Sequence, residues 1–434
     1  MRSLTFLRPF LKLVGINILS NLLVPIAGLL DLAFLGHLTE IRHLAGVALA
    51  NVLFNYLYWT FGFLRMSTTG MTAQAMGRDD ESEMVLIGLR HGILALLLGV
   101  GMIILHVPIR HVEFAILGGT PEVEAAGQAF YNALVWGAPA TLINFVIIGW
   151  FLGRSQSSSV LILTAVNSVA NIMLDYWFVV RLGWASMGAG ASTALSQYLM
   201  LFTGILLLTR AIQLKQITGH LANLWNPAAL KTLFTLNRDL VIRTFVLIST
   251  FAVFTNLGSA FGSIPLSANA ILLQVVTLAA YFIDGIAFAT ETLAGLFRGQ
   301  GNDSQLRQLV WVAGGMSLLI GILFAIAFIG YPGVLFKRLT SHTPVLIYLE
   351  QYVVWLLPVL GFGSIAYMLD GYFLGLTQGK ILRQAMLQSV LIGFVPCAVI
   401  AWSLQSNHWL WLALSLFMAM RSLSLGWRFR HPIN

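Results

Sequence analysis

Charge is scarce in this chain. Only 9% of its 434 residues are Asp, Glu, Lys or Arg, against about a quarter in a soluble globular protein. With 58% hydrophobic residues and a mean hydropathy of +0.85, a water-soluble fold would expose a large apolar surface and aggregate. Cysteine is almost absent. Cys397 stands alone inside an apolar run, so an intramolecular disulfide and a cysteine-based metal site are both excluded. The nine histidines are scattered, with no ligand spacing. No phosphate-binding glycine loop is present, so the chain carries no ATPase engine. An aspartate-rich prenyl-transfer motif and a potassium-filter sequence are also missing. No catalytic constellation is complete; the chain does not read as an enzyme and calls for no cofactor. Its net charge of +8 is spread over short loops rather than gathered on one face, which argues against nucleic acid as a partner.

What is present is a succession of long apolar runs with short polar punctuation, the pattern of membrane-spanning helices. About 20 residues cross the hydrocarbon. On that basis twelve spans are expected: 10–35, 44–75, 86–109, 124–151, 158–180, 187–211, 233–257, 266–297, 308–334, 345–376, 384–404 and 408–427. The N-terminal run, preceded by Arg2, Arg8 and Lys12, resembles a signal peptide. It continues to Leu35 with Asp31 inside it, and so reads as the first span. The longest polar connection, residues 212–231, reads as a cytoplasmic linker between an N-terminal lobe, 1–211, and a C-terminal lobe, 232–434. Lys and Arg set the orientation. With the N-terminus in the cytoplasm, the termini and even-numbered loops hold 18 of the 24 basic residues and the odd-numbered loops five. Both termini are therefore expected to be cytoplasmic in a multi-pass protein of the cell (inner) membrane.

An internal repeat organises the spans. Gly149-Trp-Phe-Leu-Gly-Arg-Ser-Gln156 recurs as Gly371-Tyr-Phe-Leu-Gly-Leu-Thr-Gln378, an offset of 222. The same offset pairs Gly36 with Gly258, Leu44 with Leu266, Ala48 with Ala270 and Gly77 with Gly299. Repetition at such distant places implies an all-α membrane fold of two parallel six-helix lobes around a central cavity, a transporter architecture. One chain holding both lobes makes a monomer the default, with the lipid bilayer as its surroundings.

Ionisable groups inside a bilayer are costly and mark function. Asp31 and Asp175 lie near the outer ends of spans one and five, and Thr193 lies near the outer start of span six. At 1.5 Å per residue all three fall at about one level. Asn167, Asn171 and Asp175 recur at spacing four and share a helix face, which must point into the bundle. Two carboxylates with amide and hydroxyl oxygens can hold a proton or a small hard cation such as Na⁺. The blander alternative is hydrogen-bonded helix glue. In the second half, Asp284, Asp370 and Tyr367 either line a cavity attractive to cationic substrates or form a second ion site. Glu291 either joins them or pairs near the cytoplasmic end, and Arg65 reads as a structural counter-charge. Pro25 removes a helical hydrogen bond six residues before Asp31; the resulting bend is either static or tied to the state of Asp31.

The segment Gly28-Leu-Leu-Asp-Leu-Ala-Phe-Leu-Gly-His37, the run Asn167-Ser-Val-Ala-Asn-Ile-Met-Leu-Asp-Tyr-Trp-Phe178 and the repeated Gly-aromatic-Phe-Leu-Gly segment together resemble the multidrug and toxic compound extrusion (MATE) family, in particular its DinF-type branch. That resemblance spans essentially the whole chain. It implies export of cationic or amphipathic compounds in exchange for H⁺ or Na⁺ by alternating access. It also implies an ion site in the N-terminal lobe made by Asp31, Asn171, Asp175 and Thr193, with Asn167 and Asn144 as close neighbours. A related branch carries a carboxylate in the middle of span seven; this sequence has none there, since Asp239 sits at the end. Two alternatives stay open at this level: export of an endogenous metabolite, organic anion or lipid-linked precursor, and a membrane receptor without turnover.

Overall fold

The computed structural model describes residues 5–38, 40–117, 119–212 and 223–431. Half of the expected linker, 213–222, lies outside the described residues. Among those described, helix dominates and no strand occurs. Twelve helices are long and apolar enough to cross a membrane. They are α1 (Leu7–Gly36), α2 (Ile41–Gly77), α3 (Glu81–Ile104), α4 (Pro121–Gly153), α5 (Ser157–Arg181), α6 (Ala185–Ala211), α7 (Pro227–Ala260), α8 (Ser263–Gly299), α9 (Asp303–Gly330), α10 (Thr343–Gly375), α11 (Gly379–Leu404) and α12 (Asn407–Arg430). The chain is thus an integral, multi-pass membrane protein.

The repeat is built into the backbone. Helices α8 to α12 each begin 222 residues after α2 to α6, as the pairs Ile41 and Ser263, Glu81 and Asp303, Pro121 and Thr343, Ser157 and Gly379, and Ala185 and Asn407 show. Residues in the left-handed region recur at the same interval: Asp79 with Gly301, and Ser155 with Thr377. Helix caps recur as well. The Asp80 side chain accepts from the Glu83 N–H at 2.9 Å, and the Asn302 side chain from the Gln305 N–H at 3.1 Å. These caps start α3 and α9 five residues before the expected 86 and 308. The apolar run alone hides the polar first turn that an Asp or Asn cap stabilises.

The chain divides into two compact units, Leu19–Phe234 and Thr235–Asn434 joined by Met1–Ile18. Within each, the repeated glycines mark a tight helix crossing. A Cβ at Gly149 would strike the Arg65 carbonyl on α2, and one at Gly371 would strike the Ala287 carbonyl on α8. One turn on, Gly153 meets Thr69 and Thr72, and Gly375 meets Glu291. Arg65 and Ala287 are themselves 222 apart, as are Thr69 and Glu291. Small residues at spacing four let two backbones approach closely where the bilayer supplies no hydrophobic drive. The second unit packs a core including Leu272, Leu356, Trp411 and Phe417. The first has a counterpart around Ile147, Phe151 and Leu163.

Three of the arginines counted with the loops in the orientation argument are buried within helices: Arg90, Arg243 and Arg421. Arg90 donates to the Asn223 and Leu224 carbonyls at 2.8 and 3.1 Å and pairs with Glu83 at 2.9 Å, tying the start of the described chain after 222 to α3. Removing these three lowers the count but leaves its direction unchanged.

Candidate ion site and the family

In the Leu19–Phe234 unit, three helices converge on one carboxylate. Asp175, near the end of the regular part of α5, is 1% exposed. Its Oδ1 accepts from the Ser192 hydroxyl of α6, and its Oδ2 accepts from the Asn171 Nδ2 at 3.2 Å. The same Asn171 amide reaches the Thr193 Oγ1 at 3.5 Å. Asp31, half-buried on α1, brings its carboxyl within hydrogen-bonding reach of Asp175. Helix α1 runs unbroken through Pro25, and the Leu23 carbonyl accepts from the Ser168 hydroxyl of α5 at 3.4 Å. Immediately after Asp175 the helix widens into a π-turn, Tyr176–Arg181, with the Leu182 N–H bonded to the Trp177 carbonyl at 3.0 Å. Such insertions are frequent at functional sites, though a second one, Ser389–Phe394 in α11, lies in the other unit.

The structure brings Asp31, Asn171 and Asp175 together, with Thr193 reached through Asn171. Asn167 lies one turn before Asn171 on the same face. Asn144, on α4, donates instead to the Gln197 carbonyl and side chain on α6 at 2.9 and 3.0 Å. The Oδ1 atoms of Asp31, Asn167 and Asn144 are buried and have no hydrogen-bond donor among the described residues. Acceptors left without donors favour a proton or a small hard cation over further hydrogen bonding between acceptors. Ser192 was missed by sequence reasoning. It adjoins Thr193, but serines are frequent in this chain and only tertiary placement singles one out.

The other unit is built differently. Asp370 on α10, 5% exposed, accepts on one oxygen, Oδ2, from both Arg243 of α7 and Arg421 of α12. The Arg421 guanidinium lies over the Tyr367 ring, 5.0 Å from its centroid. Asp284 of α8 acts electrostatically on Tyr367 and Arg421. The three C-terminal candidates Asp284, Tyr367 and Asp370 therefore do gather at one place. The two arginines that meet them there were not recognised as intramembrane residues.

Twelve spans, a doubled six-helix unit and a buried polar cluster on three helices define a polytopic membrane transporter. The MatE family model matches residues 17–177 and 240–399. The chain is 34% identical over 421 residues to DNA damage-inducible protein F of Escherichia coli (strain K12), covering 96% of this chain and 91% of that protein. It is 25% identical over 424 residues to Protein DETOXIFICATION 44, chloroplastic, of Arabidopsis thaliana, covering 93% and 78%. Among solved structures, it matches an outward-facing multidrug resistance MATE family transporter with a TM-score of 0.88 at 19% identity, over 99% of this chain and 98% of that one. A transporter from Pyrococcus furiosus, described as having a binding pocket of reversed polarity, matches with a TM-score of 0.86 at 19% identity over the same shares. The chain belongs to the MATE family of multidrug and toxic compound efflux transporters. It is a transporter and not an enzyme.

Proposed function

We propose that this protein is a secondary antiporter that exports cationic or amphipathic compounds in exchange for H⁺ or Na⁺ by alternating access. Its coupling site is Asp31 and Asp175 with Asn171, Thr193 and Asn167, assisted by Ser192. The observation that carries this reading is the meeting of two carboxyl groups beside buried oxygens that lack donors. Two carboxylates in contact repel unless a proton or a cation lies between them. When the ion is bound, Asp175 keeps its donors and Asp31 is drawn to it; when it leaves, repulsion drives Asp31 away. Movement of Asp31 shifts α1 on the outer side of Pro25. Coupling requires that ion and substrate each bind the two states of the cycle with different affinity. The orientation has both termini cytoplasmic, in the inner membrane, with residues 212–231 as the cytoplasmic linker between lobes 1–211 and 232–434. The protein works as a monomer.

The test is efflux of a fluorescent cationic dye from proteoliposomes under an imposed proton gradient or sodium gradient. Gradient-driven efflux by wild type, lost in folded and inserted Asp31→Asn, supports the reading and names the ion. Undiminished ion-driven efflux by that variant sinks it. Dye that binds but never accumulates in counterflow points to a receptor.

A further inference from the structure

The Arg243–Asp370–Arg421 cluster has no part in the ion site. It lies wholly in the Thr235–Asn434 unit, held by α7, α10 and α12. Two features set it apart from an ordinary helix-joining ion pair. First, both guanidinium groups converge on the same oxygen of one carboxylate, so neither forms the parallel two-oxygen fork that suits arginine and carboxylate best. Second, Arg421 is 1% exposed, yet its Nε and Nη1 meet no acceptor in hydrogen-bonding geometry among the described residues; beyond Asp370, the Tyr367 hydroxyl is the side-chain group that interacts with its guanidinium. Burying charged donors without acceptors is costly. A group bearing several acceptor oxygens would satisfy them. Tyr367 and Asp284, which adjoin the cluster, are only half-buried. The arginines therefore lie one side chain beneath an accessible surface.

We propose that this cluster is an oxyanion-binding subsite that accepts the carboxylate or phosphate group of an amphipathic molecule, with Arg421 as its principal donor. Asp370 is the internal stand-in that holds the arginines when no ligand is bound. With Arg243 and Arg421 opposed by Asp370 and Asp284, the four groups sum to zero formal charge. An entering monoanion is accommodated when Asp370 is neutralised or gives up the arginines. The ring of Tyr367, already stacked on Arg421, supplies an apolar wall for the part of the ligand next to the anion. The inference deepens the export reading by naming a substrate chemistry. Its meaning for transport rests on that reading, whereas the site itself is defined by binding.

The experiment is calorimetric titration of the full chain in phosphatidylcholine nanodiscs, with no ion gradient, so that a failure of ion coupling does not affect it. Three probes share one ring system: naphthalene-1-carboxylate, 1-naphthyl phosphate and 1-naphthylmethylammonium. Expected is saturable binding of both anions at one site that the ammonium probe does not compete for. Arg421→Gln should weaken the anions by about tenfold or more, the scale of one lost charge-assisted hydrogen bond, and leave the ammonium probe unchanged. Asp370→Asn, which removes the internal competitor, should strengthen anion binding. A purely structural ion pair would not produce that increase. Nanodiscs containing phosphatidylglycerol separate the two sources of the anion. Weaker probe binding there, with phosphatidylglycerol retained by wild type but not by Arg421→Gln in native mass spectrometry, assigns the subsite to a lipid headgroup. Unchanged probe binding assigns it to soluble amphipaths. Anion affinity that is unchanged in Arg421→Gln, or unchanged or lowered in Asp370→Asn, overturns the proposal. The Asp370→Asn arm decides the matter even where Arg421→Gln fails to fold.

Discussion

The two units share a scaffold and differ in their buried charge. At the repeat interval, Asp31, Asn171, Asp175 and Thr193 correspond to Val253, Gly393, Cys397 and Ser415. In the other direction, Arg243, Asp370 and Arg421 correspond to Asn21, Ile148 and Leu199. What the units hold in common is the α2–α4 and α8–α10 glycine crossings, the caps at Asp80 and Asn302, and the left-handed residues at 155 and 377. Backbone geometry has thus been kept in both copies, while polar chemistry has been placed once in each, a carboxyl pair in one and an arginine–aspartate cluster in the other. The difference teaches that the repeat carries architecture and not function. A paired glycine predicts a crossing in both units, but an aspartate in one predicts nothing at its counterpart.

That contrast can be broken by exchanging positions across the repeat. The largest effect is expected at Asp175. Asp175→Asn should abolish gradient-driven efflux, a loss of at least about a hundredfold if the carboxylate is obligatory for coupling, measured as dye efflux from proteoliposomes. Its counterpart Cys397→Ser should leave efflux within about twofold, because it touches neither carboxylate; Cys397 is buried in the core of its unit, so the introduced hydroxyl costs stability, about 1–3 kcal/mol, rather than coupling.

The shared scaffold should respond alike in both units. Gly149→Leu and Gly371→Leu each drive a side chain into a facing backbone carbonyl. Overpacking of this kind costs about 1–3 kcal/mol or more, so both should lower the melting temperature in detergent by similar amounts. A shift confined to one variant would show that only one crossing supports the fold. A smaller effect than at Asp175 is expected at Ser192→Ala. It removes one donor from Asp175 but neither carboxylate, so apparent ion affinity should change by roughly ten- to a hundredfold at most, the scale of one hydrogen bond to a charged group. Maximal efflux at saturating ion should be retained, as ion-titrated transport would show.

Much of this was legible in the chain before any coordinates. The Asn167–Asn171–Asp175 stripe could be read because spacing four on a helix is a local property, and the structure places Asn171 directly on Asp175. The starts of α3 and α9 were less accessible from hydropathy, although Asp80 and Asn302 carry the capping chemistry that moves them. Arg243 and Arg421 escaped notice for a different reason. They lie near polar helix ends that also contain Arg238, Asp239, Arg428 and Arg430, and a hydropathy window assigns such residues to loops.

The sequence by itself determined the number of spans, the doubling at 222 residues and the helix face bearing the α5 amides. These follow from hydrophobic length and helical period, which are set by neighbours along the chain. Only the tertiary structure decided that Asp31 faces Asp175, that Ser192 supplies a donor, and that two arginines share Asp370. Those choices depend on which helices pack together. Arg243 and Asp370 are 127 residues apart, and no local pattern links them. The cost of leaving a buried charge without a partner is paid in three dimensions, by whichever side chain the fold brings within reach.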